Sequence, residues 1–404
     1  MDAANSSATV YLSWMLVACG ALAALFLTFL AIRIAQVFLR APRIGDGLAA
    51  AAPSDGWPLV SIVVPANNEE RVIENCVTSL LASDYPELEI VVVLDRCSDR
   101  TLALLRPFAE RDSRLRIIEN TACPPDWAGK CNAARVGADA ARGKYLLFTD
   151  ADVRFEPALV RAAMGLMRRD RRGLLTLLPR VVAVTWYERI VQPIAALTLM
   201  QMYPIDKVNR EYRRRPFANG QFLLFERGVY ERIGGHAATK HDLLEDIAFA
   251  RLVDASGARV GLALAADMLE VHMYSSFVAF REGWKRIFIE ANKRRVRRLR
   301  KKALVVLMLG VGTPIVQIAA LTTGAAAGHA TFLWAAGVVA WGVAAQVVAF
   351  AMVFRACRAR VRDVALSPIG AAVVACVLWQ GAADLVKNRP VRWGGREYRL
   401  IAED

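Results

Sequence analysis

Asp150 and Asp152 stand two residues apart at the end of an apolar run, "LLFTDADVRF", residues 146–155. In an extended segment residues i and i+2 point to the same side, so the two carboxylates can converge. Close carboxylates repel unless a cation or a proton lies between them. A strand end running into a solvated turn is the competing reading of such a pair taken alone. Further polar groups end other apolar runs: Asn67, Asn68 and Glu69 follow "LVSIVVP" (59–65), and Asp95 closes "EIVVVLD" (89–95).

Regular elements must bring these ends to one place. The runs 59–65, 89–95, 114–120 and 144–150 are short, apolar and rich in β-branched residues, as strands buried on both faces are. Helical stretches separate them, from about Glu69 to Ala82, from about Asp99, and through Lys130–Gly143. Such crossovers predict a mainly parallel α/β sheet with helices on both faces. Ligands of these sheets bind beyond the carboxyl ends of the strands. Asn67, Asn68, Glu69, Asp95, Asp150 and Asp152 all fall on that edge, where a nucleotide is expected.

The chain has 404 residues, 55% of them hydrophobic, and a formal charge of +14; its mean hydropathy is +0.31. Tyr11–Ile32 holds no charged residue, and its 22 residues of helix suffice to cross a hydrocarbon core of about 30 Å. Ala303–Phe354 lacks Asp, Glu, Lys and Arg over a length that fits two spans with a turn near Gly324–Gly328. Val364–Ala383 is a third uncharged run, between Asp363 and Asp384. Residues 1–40 are therefore expected as a retained transmembrane helix, since the first run lacks the basic leader of a signal peptide. Two transmembrane helices are expected at 303–354 and a further membrane helix at 364–386. Residues 57–280 are left for one soluble unit of an integral membrane protein.

Seven cysteines, at 19, 76, 97, 123, 131, 357 and 376, show no paired CxxC spacing. That argues against a zinc site or a disulfide framework, and for reduced thiols in a cytosolic unit. Basic residues beside the spans set orientation. Arg33, Arg40 and Arg43 follow the first span, whereas only Asp2 is charged before it. The soluble unit is thus expected on the cytoplasmic face of the inner membrane, with a multi-pass anchor. Lys301 and Lys302, and then Arg355, Arg358, Arg360 and Arg362, agree. A full crossing by 364–386 would instead put Lys387, Arg389, Arg392, Arg396 and Arg399 outside. Pro368 lies in that run; a re-entrant or interfacial helix removes the conflict and keeps the basic tail 387–404 in the cytoplasm.

Six stretches, "VSIVVPANNEE", "VVVLDRCSDRT", "WAGKCNAARVGA", "LLFTDADVRF", "ANGQFLLFERGVYERIGG" and "LLEDIAFARLV", carry a resemblance. In their order and spacing the chain resembles family 2 glycosyltransferases of the GT-A fold. The likeness covers the soluble unit and, more loosely, the membrane segments. Within that family it is most similar to the membrane-anchored branch acting on lipid acceptors, as in hopanoid and carotenoid glycosylation and the ceramide glucosyltransferases. The resemblance implies a Rossmann-like GT-A domain at 57–280 on a helical membrane anchor. It also implies an inverting, metal-dependent transfer of one sugar from a UDP-sugar to the hydroxyl of a membrane lipid.

Under that resemblance Pro65, Ala66, Glu69 and Asp95 grip the nucleobase and ribose, where a strand-end carboxylate can accept the imide N–H of uracil. The family usually has two acids at the second of these sites, and here the first position is Leu94. Lys130 opens a helix after Gly129, a pairing suited to a diphosphate. Asp150 and Asp152 become the motif for Mg2+ or Mn2+, hard ions that take oxygen ligands. Asp152 is the expected direct ligand, with Asp150 toward the ribose or a metal-bound water. Asn219, Gly220 and Gln221 line the donor-sugar pocket. Asp246 is the expected general base and Glu245 its neighbour, orienting it or contacting the acceptor. A pair of acids placed at a helix N-terminus for stability is the competing reading. Arg392, Trp393 and Arg396 are expected to close over the site.

The main alternative enzyme is a processive polysaccharide synthase. Such members carry a Gln-x-x-Arg-Trp motif on an interfacial helix, which "REGWKRIF" echoes only through Arg281 and Trp284. The spans are also few for extruding a polymer. Arg281–Lys302 holds 11 basic and two acidic residues and is expected as one basic interfacial helix. Beside a span, such charge suits anionic lipid rather than nucleic acid. The apolar stretch 190–204 is too short to span; it is expected to dip into the membrane, with core packing as the other reading. Intact acids at Asp95, Asp150, Asp152 and Asp246 disfavour a non-catalytic scaffold.

Overall fold

The structure, a computed structural model, describes residues 2–50, 53–54, 56–210, 212, 214–274, 276–393 and 396–403. It opens with α1 (Asp2–Arg40), β1 (Val60–Ala66), α2 (Ile73–Leu81), β2 (Leu88–Asp95), α3 (Thr101–Arg111), β3 (Leu115–Asn120) and α4 (Gly129–Ala140). Next come β4 (Tyr145–Phe148), β5 (Val153–Phe155), α5 (Leu159–Arg169), β6 (Leu174–Leu178), β7 (Arg180–Val181) and α6 (Trp186–Met202). The α/β unit is completed by β8 (Leu223–Glu226), α7 (Arg227–Arg232), α8 (Glu245–Ala255), β9 (Val260–Leu264) and β10 (Leu269–Val271). After these follow α9 (Phe277–Ala291), α10 (Val296–Leu307), α11 (Thr313–Ala327), α12 (His329–Ala356), α13 (Ser367–Val386), β11 (Val391–Trp393) and β12 (Arg396–Tyr398).

The strand order is β3-β2-β1-β4-β8-β6-β9. β1 runs parallel to β2 and β4, β2 to β3, and β6 to β9, while β8 runs antiparallel to both β4 and β6. The sheet is mainly parallel, as expected, and is mixed only in that β8 runs against its neighbours. Every residue of β2 is buried, because α2 and α5 cover one face of the sheet and α4 and α8 the other. Each Val, Ile or Leu so enclosed contributes about 1.5–3 kcal/mol, which explains why these strands read as unbroken apolar runs. β5, β10 and β7 form a separate small sheet. Asp150, Ala151 and Asp152 lie between β4 and β5, in a turn. The extended geometry expected for this motif is thus corrected: the chain bends here as it passes from one sheet to the other.

Among the described residues four segments are long and apolar enough to cross a membrane: Ala8–Arg40, Val296–Ala327, His329–Ala356 and Val361–Val386. α1, α11 and α12 pack on one another. α10 runs into α11 through a five-residue π-helical turn, Met308–Gly312, and packs instead against α13. The stretch expected as one basic helix, 281–302, is two. α9 ends at Ala291, and Lys293 and Arg294 take left-handed backbone angles of +56° and +53°. Their amides return to the carbonyls of Glu290 and Ile289, which closes α9 and turns the chain before α10.

α13 lies along α6, α9 and α10. Arg189 of α6 pairs with Asp363 just before the helix (3.1 Å), and Lys285 of α9 pairs with Asp384 near its end (2.7 Å). Tyr187, Val191, Ile194 and Leu197 of α6 are buried in this second core with Phe280, Trp284 and Phe288 of α9. The stretch 190–204 thus presents its apolar side to other helices of the chain.

Candidate active site

The carboxyl ends of β1 and β4 and the first turns of α4 and α8 meet at one edge of the main sheet. Lys130, in the first turn of α4, reaches Asp150 Oδ1 at 2.7 Å and Glu245 Oε1 at 2.9 Å. The backbone assists: Ala128 donates to the Lys240 carbonyl, which ties the start of α4 to the loop that leads into α8. Burial opposes the charge on Lys130, yet Asp150 and Glu245 outweigh it and hold the ammonium well above its ordinary range. Glu245 moves the other way; burial would raise it, but Lys130 keeps it low.

Asp246 follows in the same turn of α8. Its Oδ2 accepts the Gly220 amide at 2.8 Å and its Oδ1 accepts the Ile247 amide at 2.8 Å. Burial and the neighbouring Glu245 raise it to about 7, near the pH at which a carboxylate can both take and return a proton. A Cβ on Gly220 would stand 3.4 Å from Lys130 Nζ and 3.5 Å from Asp246 Oδ2, in ordinary contact with the cluster. Asn219 and Gln221 flank it, joined by a 3.0 Å bond between their side chains.

Asp152 differs from its neighbours. Its Oδ1 is buried with no hydrogen-bond partner, and burial, then Asp150 and Glu69, push its carboxyl up to about 8. Glu69 itself rises to about 7 through burial, Asp150 and Asp99. Lys130 offsets this crowding of acids only in part. An orphaned buried carboxylate oxygen beside a second carboxylate suits a hard divalent ion, so Asp150 and Asp152 fit Mg2+ or Mn2+. Among the described residues no group of three His, Cys, Asp or Glu side chains forms a complete metal set. The remaining ligands would be phosphate oxygens and water, as is usual for Mg2+.

Asp95 is buried at this edge, but its oxygens accept from Arg96 Nε (3.0 Å), Arg96 NH2 (2.5 Å) and Asn120 Nδ2 (3.1 Å). Arg96, with φ of +52°, was not singled out in the sequence, although its place beside a strand-end acid was a signal. A Cβ on Gly129 would lie 2.6 Å from its guanidinium, so a larger residue where α4 begins would push the Arg96 side chain off Asp95. Pro65 and Ala66 end β1, in register with Val93 and Leu94 of β2. Trp284 lies in α9 and lines an apolar cavity. The backbone pairs Arg392 with Glu397 and Trp393 with Arg396 in the hairpin of β11 and β12. The side chains of Arg392, Trp393 and Arg396 lie outside the described residues.

That cavity measures about 960 Å3. Its walls include Asn219 and Gln221 at the candidate site, Leu199 and Met200 of α6, and Trp284 and Ile287 of α9. It continues to Phe38 and Leu39 at the end of α1 and to Met352 and Ala356 at the end of α12. Gln192 of α6, also in the wall, was missed in the sequence; a lone amide within an apolar run was its signal.

Comparison with known proteins bears on this arrangement. Over 95 residues the chain is 40% identical to the uncharacterized glycosyltransferase EpsJ of Bacillus subtilis, covering 24% of this chain and 26% of that protein. It is 23% identical over 228 residues to 4,4'-diaponeurosporenoate glycosyltransferase of Staphylococcus aureus, covering 56% and 59%. Neither match reaches two thirds of the relative's own length. The mannosyltransferase PcManGT of Pyrobaculum calidifontis, solved with GDP-Man and Mn2+, shares the fold. The TM-score is 0.51 at 19% identity, over 94% of this chain and 99% of that one. The expected glycosyltransferase kinship and GT-A fold hold. The family model that matches, glycosyl transferase family 21, covers residues 16–404, and with that span including both acidic motifs and the membrane helices, the chain belongs to this family.

Proposed function

We propose that the protein transfers one sugar from a UDP-sugar to the hydroxyl of a membrane lipid, with inversion, at the cytoplasmic face of the inner membrane. The cavity carries this reading. It is largely apolar, and it joins the ends of two membrane-length helices to Asn219 and Gln221, which flank the glycine whose amide holds Asp246. A lipid seated there would bring its hydroxyl to the acid that is raised to about 7.

Asp246 takes the proton of the acceptor hydroxyl as the new bond from oxygen to the anomeric carbon forms. The bond from that carbon to the diphosphate breaks on the opposite face, and the electron pair leaves with the nucleoside diphosphate. Lys130, at a helix N-terminus, faces the diphosphate as its negative charge grows. Glu245 holds Lys130 in place. Asp150 and Asp152 would hold Mg2+ or Mn2+, which supplies charge neutralisation for the leaving diphosphate; the fold neighbour from Pyrobaculum calidifontis was solved with Mn2+. Glu69 and Asp95 with Arg96 would bound the nucleoside end.

The two ion pairs that tie α13 to α6 and α9 support an interfacial helix rather than a fourth crossing. A label on Ala402→Cys should then react from the cytoplasmic side only. For the reaction itself, purified protein should be incubated with nucleotide-sugars and a lipid extract and its products weighed. A single β-glycoside from an α-linked donor is expected. A ladder of oligosaccharides would favour a processive synthase, and retained configuration would overturn the single displacement.

A further inference from the structure

Asp95, expected to accept the imide N–H of the base, has little left to offer a ligand. It is 3% exposed, and its carboxylate already accepts from Arg96 Nε, Arg96 Nη2 and Asn120 Nδ2. The start of α4 lies over its remaining side, where a Cβ on Gly129 would stand 3.0 Å from Oδ2. Arg96 is the opposite case. Asp95 holds it side-on through Nε and Nη2, and its own amide donates to the Asn120 carbonyl at 2.8 Å. The far end of the guanidinium, Nη1, makes no hydrogen bond among the described residues, and the side chain is 27% exposed. The backbone is held at φ +52°, a costly conformation for a residue with a long side chain and one that gathers at ligand sites. Hydrogen bonding to Asp95 raises the guanidinium above its ordinary range, and Cys123 before α4 and Tyr398 of β12 act on the same charge. Arg96 thus stands in the cleft between the sheet edge, the loop before α4 and the last hairpin.

We propose that Arg96, not Asp95, reads the nucleobase of the donor, with Nη1 donating to a carbonyl oxygen of uracil. Asp95 is then a positioning residue that aims the guanidinium. The inference rests on the UDP-sugar reading and names the group that selects the base. Uracil carries two carbonyl acceptors, one on each side of a single imide N–H. A carboxylate can take only the N–H, and a guanidinium only a carbonyl oxygen. The two assignments therefore depend on different atoms of the same base. A site built around one of those hydrogen bonds discriminates against the analogue that lacks it.

The test is calorimetric titration of the full chain in detergent, with Mn2+ present throughout, by UDP and three analogues. N3-methyl-UDP lacks the imide N–H, whereas 2-thio-UDP and 4-thio-UDP each replace one carbonyl oxygen with sulfur, a weak acceptor. Wild-type protein should bind N3-methyl-UDP within about threefold of UDP and one of the thio analogues about tenfold more weakly. Arg96→Met should weaken UDP about tenfold and erase the difference between oxygen and sulfur. Asp95→Asn should weaken UDP by loosening Arg96, and so add little to Arg96→Met in the double variant. A merely structural role would weaken every ligand in parallel and leave the sulfur difference standing, which overturns the proposal. It is overturned too if N3-methyl-UDP binds at least about tenfold more weakly and Asp95→Asn, but not Arg96→Met, removes that penalty. UDP bound without discrimination against either sulfur analogue overturns the role of Arg96 alone. Folded wild-type protein that binds no UDP overturns the UDP-sugar reading and this inference together. Should Asp95→Asn fail to fold, as judged by its thermal midpoint, Arg96→Met carries the comparison.

Discussion

The main sheet buries carboxylates at both of its ends and treats them in opposite ways. Glu89, near the start of β2, is 2% exposed. It accepts from the Ser61 hydroxyl at 2.5 Å, the Arg142 side chain at 2.9 Å and the Arg142 amide. Burial would raise its carboxyl, but these donors more than offset that and hold it below the ordinary range. At the carboxyl edge Asp152 keeps an oxygen with no partner and rises to about 8. One acid is finished within the fold; the other is completed only by something the chain does not carry. An acid left short of donors in a cleft, more than burial as such, marks where chemistry is done.

Breaking that contrast at the carboxyl edge should give the largest effect. Asp246→Asn should lower turnover by about 10²–10⁴ while calorimetry shows nucleotide affinity nearly unchanged. A parallel loss of affinity would make Asp246 a binding group. Asp152→Ala should cost at least about 100-fold in turnover and in Mn2+ affinity, and full activity in EDTA would remove the metal assignment. Stability should respond at the opposite end. Glu89→Ala, losing charged hydrogen bonds, should destabilise by about 1.5–3 kcal/mol in denaturant titration. Asp152→Asn in chelator should be neutral or slightly stabilising, and equal losses at the two positions would erase the distinction.

The smallest effects are in pH. Glu89 has a folded value below its unfolded one, so its contribution is present above the ordinary carboxylate range and is lost as pH falls through the lowered value. The stability gap between wild type and Glu89→Ala should therefore narrow in acid. Turnover should rise with pH through about 7 as Asp246 gives up its proton. A flat profile there would separate the base from Asp246.

Much of this was legible in the residues themselves. β1 and β2 announce themselves because both faces are covered, and the acids at their ends fall on one edge by strand order alone. What escaped depended on contacts between distant parts. The turn at Asp150–Asp152 follows from β5 joining a different sheet, through pairings of two or three residues too short to show a period. Arg96 turns inward because Asn120, from the next strand, shares Asp95 with it. Lys293 and Arg294 sit in an unbroken run of basic residues, and nothing in that run marks the left-handed turn that splits it.

The π turn at Met308–Gly312 has a consequence for how the membrane region is phased. Leu299, Ala303, Val306, Gly310, Thr313, Gln317, Ala320 and Gly324 are all buried, spaced alternately by four and three. Such a count, taken alone, describes one straight seam against a single partner. The wider i→i+5 turn underwinds the backbone at its midpoint, so the seam keeps its count while changing its bearing. Below the turn it addresses α13, and above it α1 and α12. One helical rod thereby serves two bundles, and removing a single residue from Met308–Gly312 would swing one half of the seam out of register with its partner.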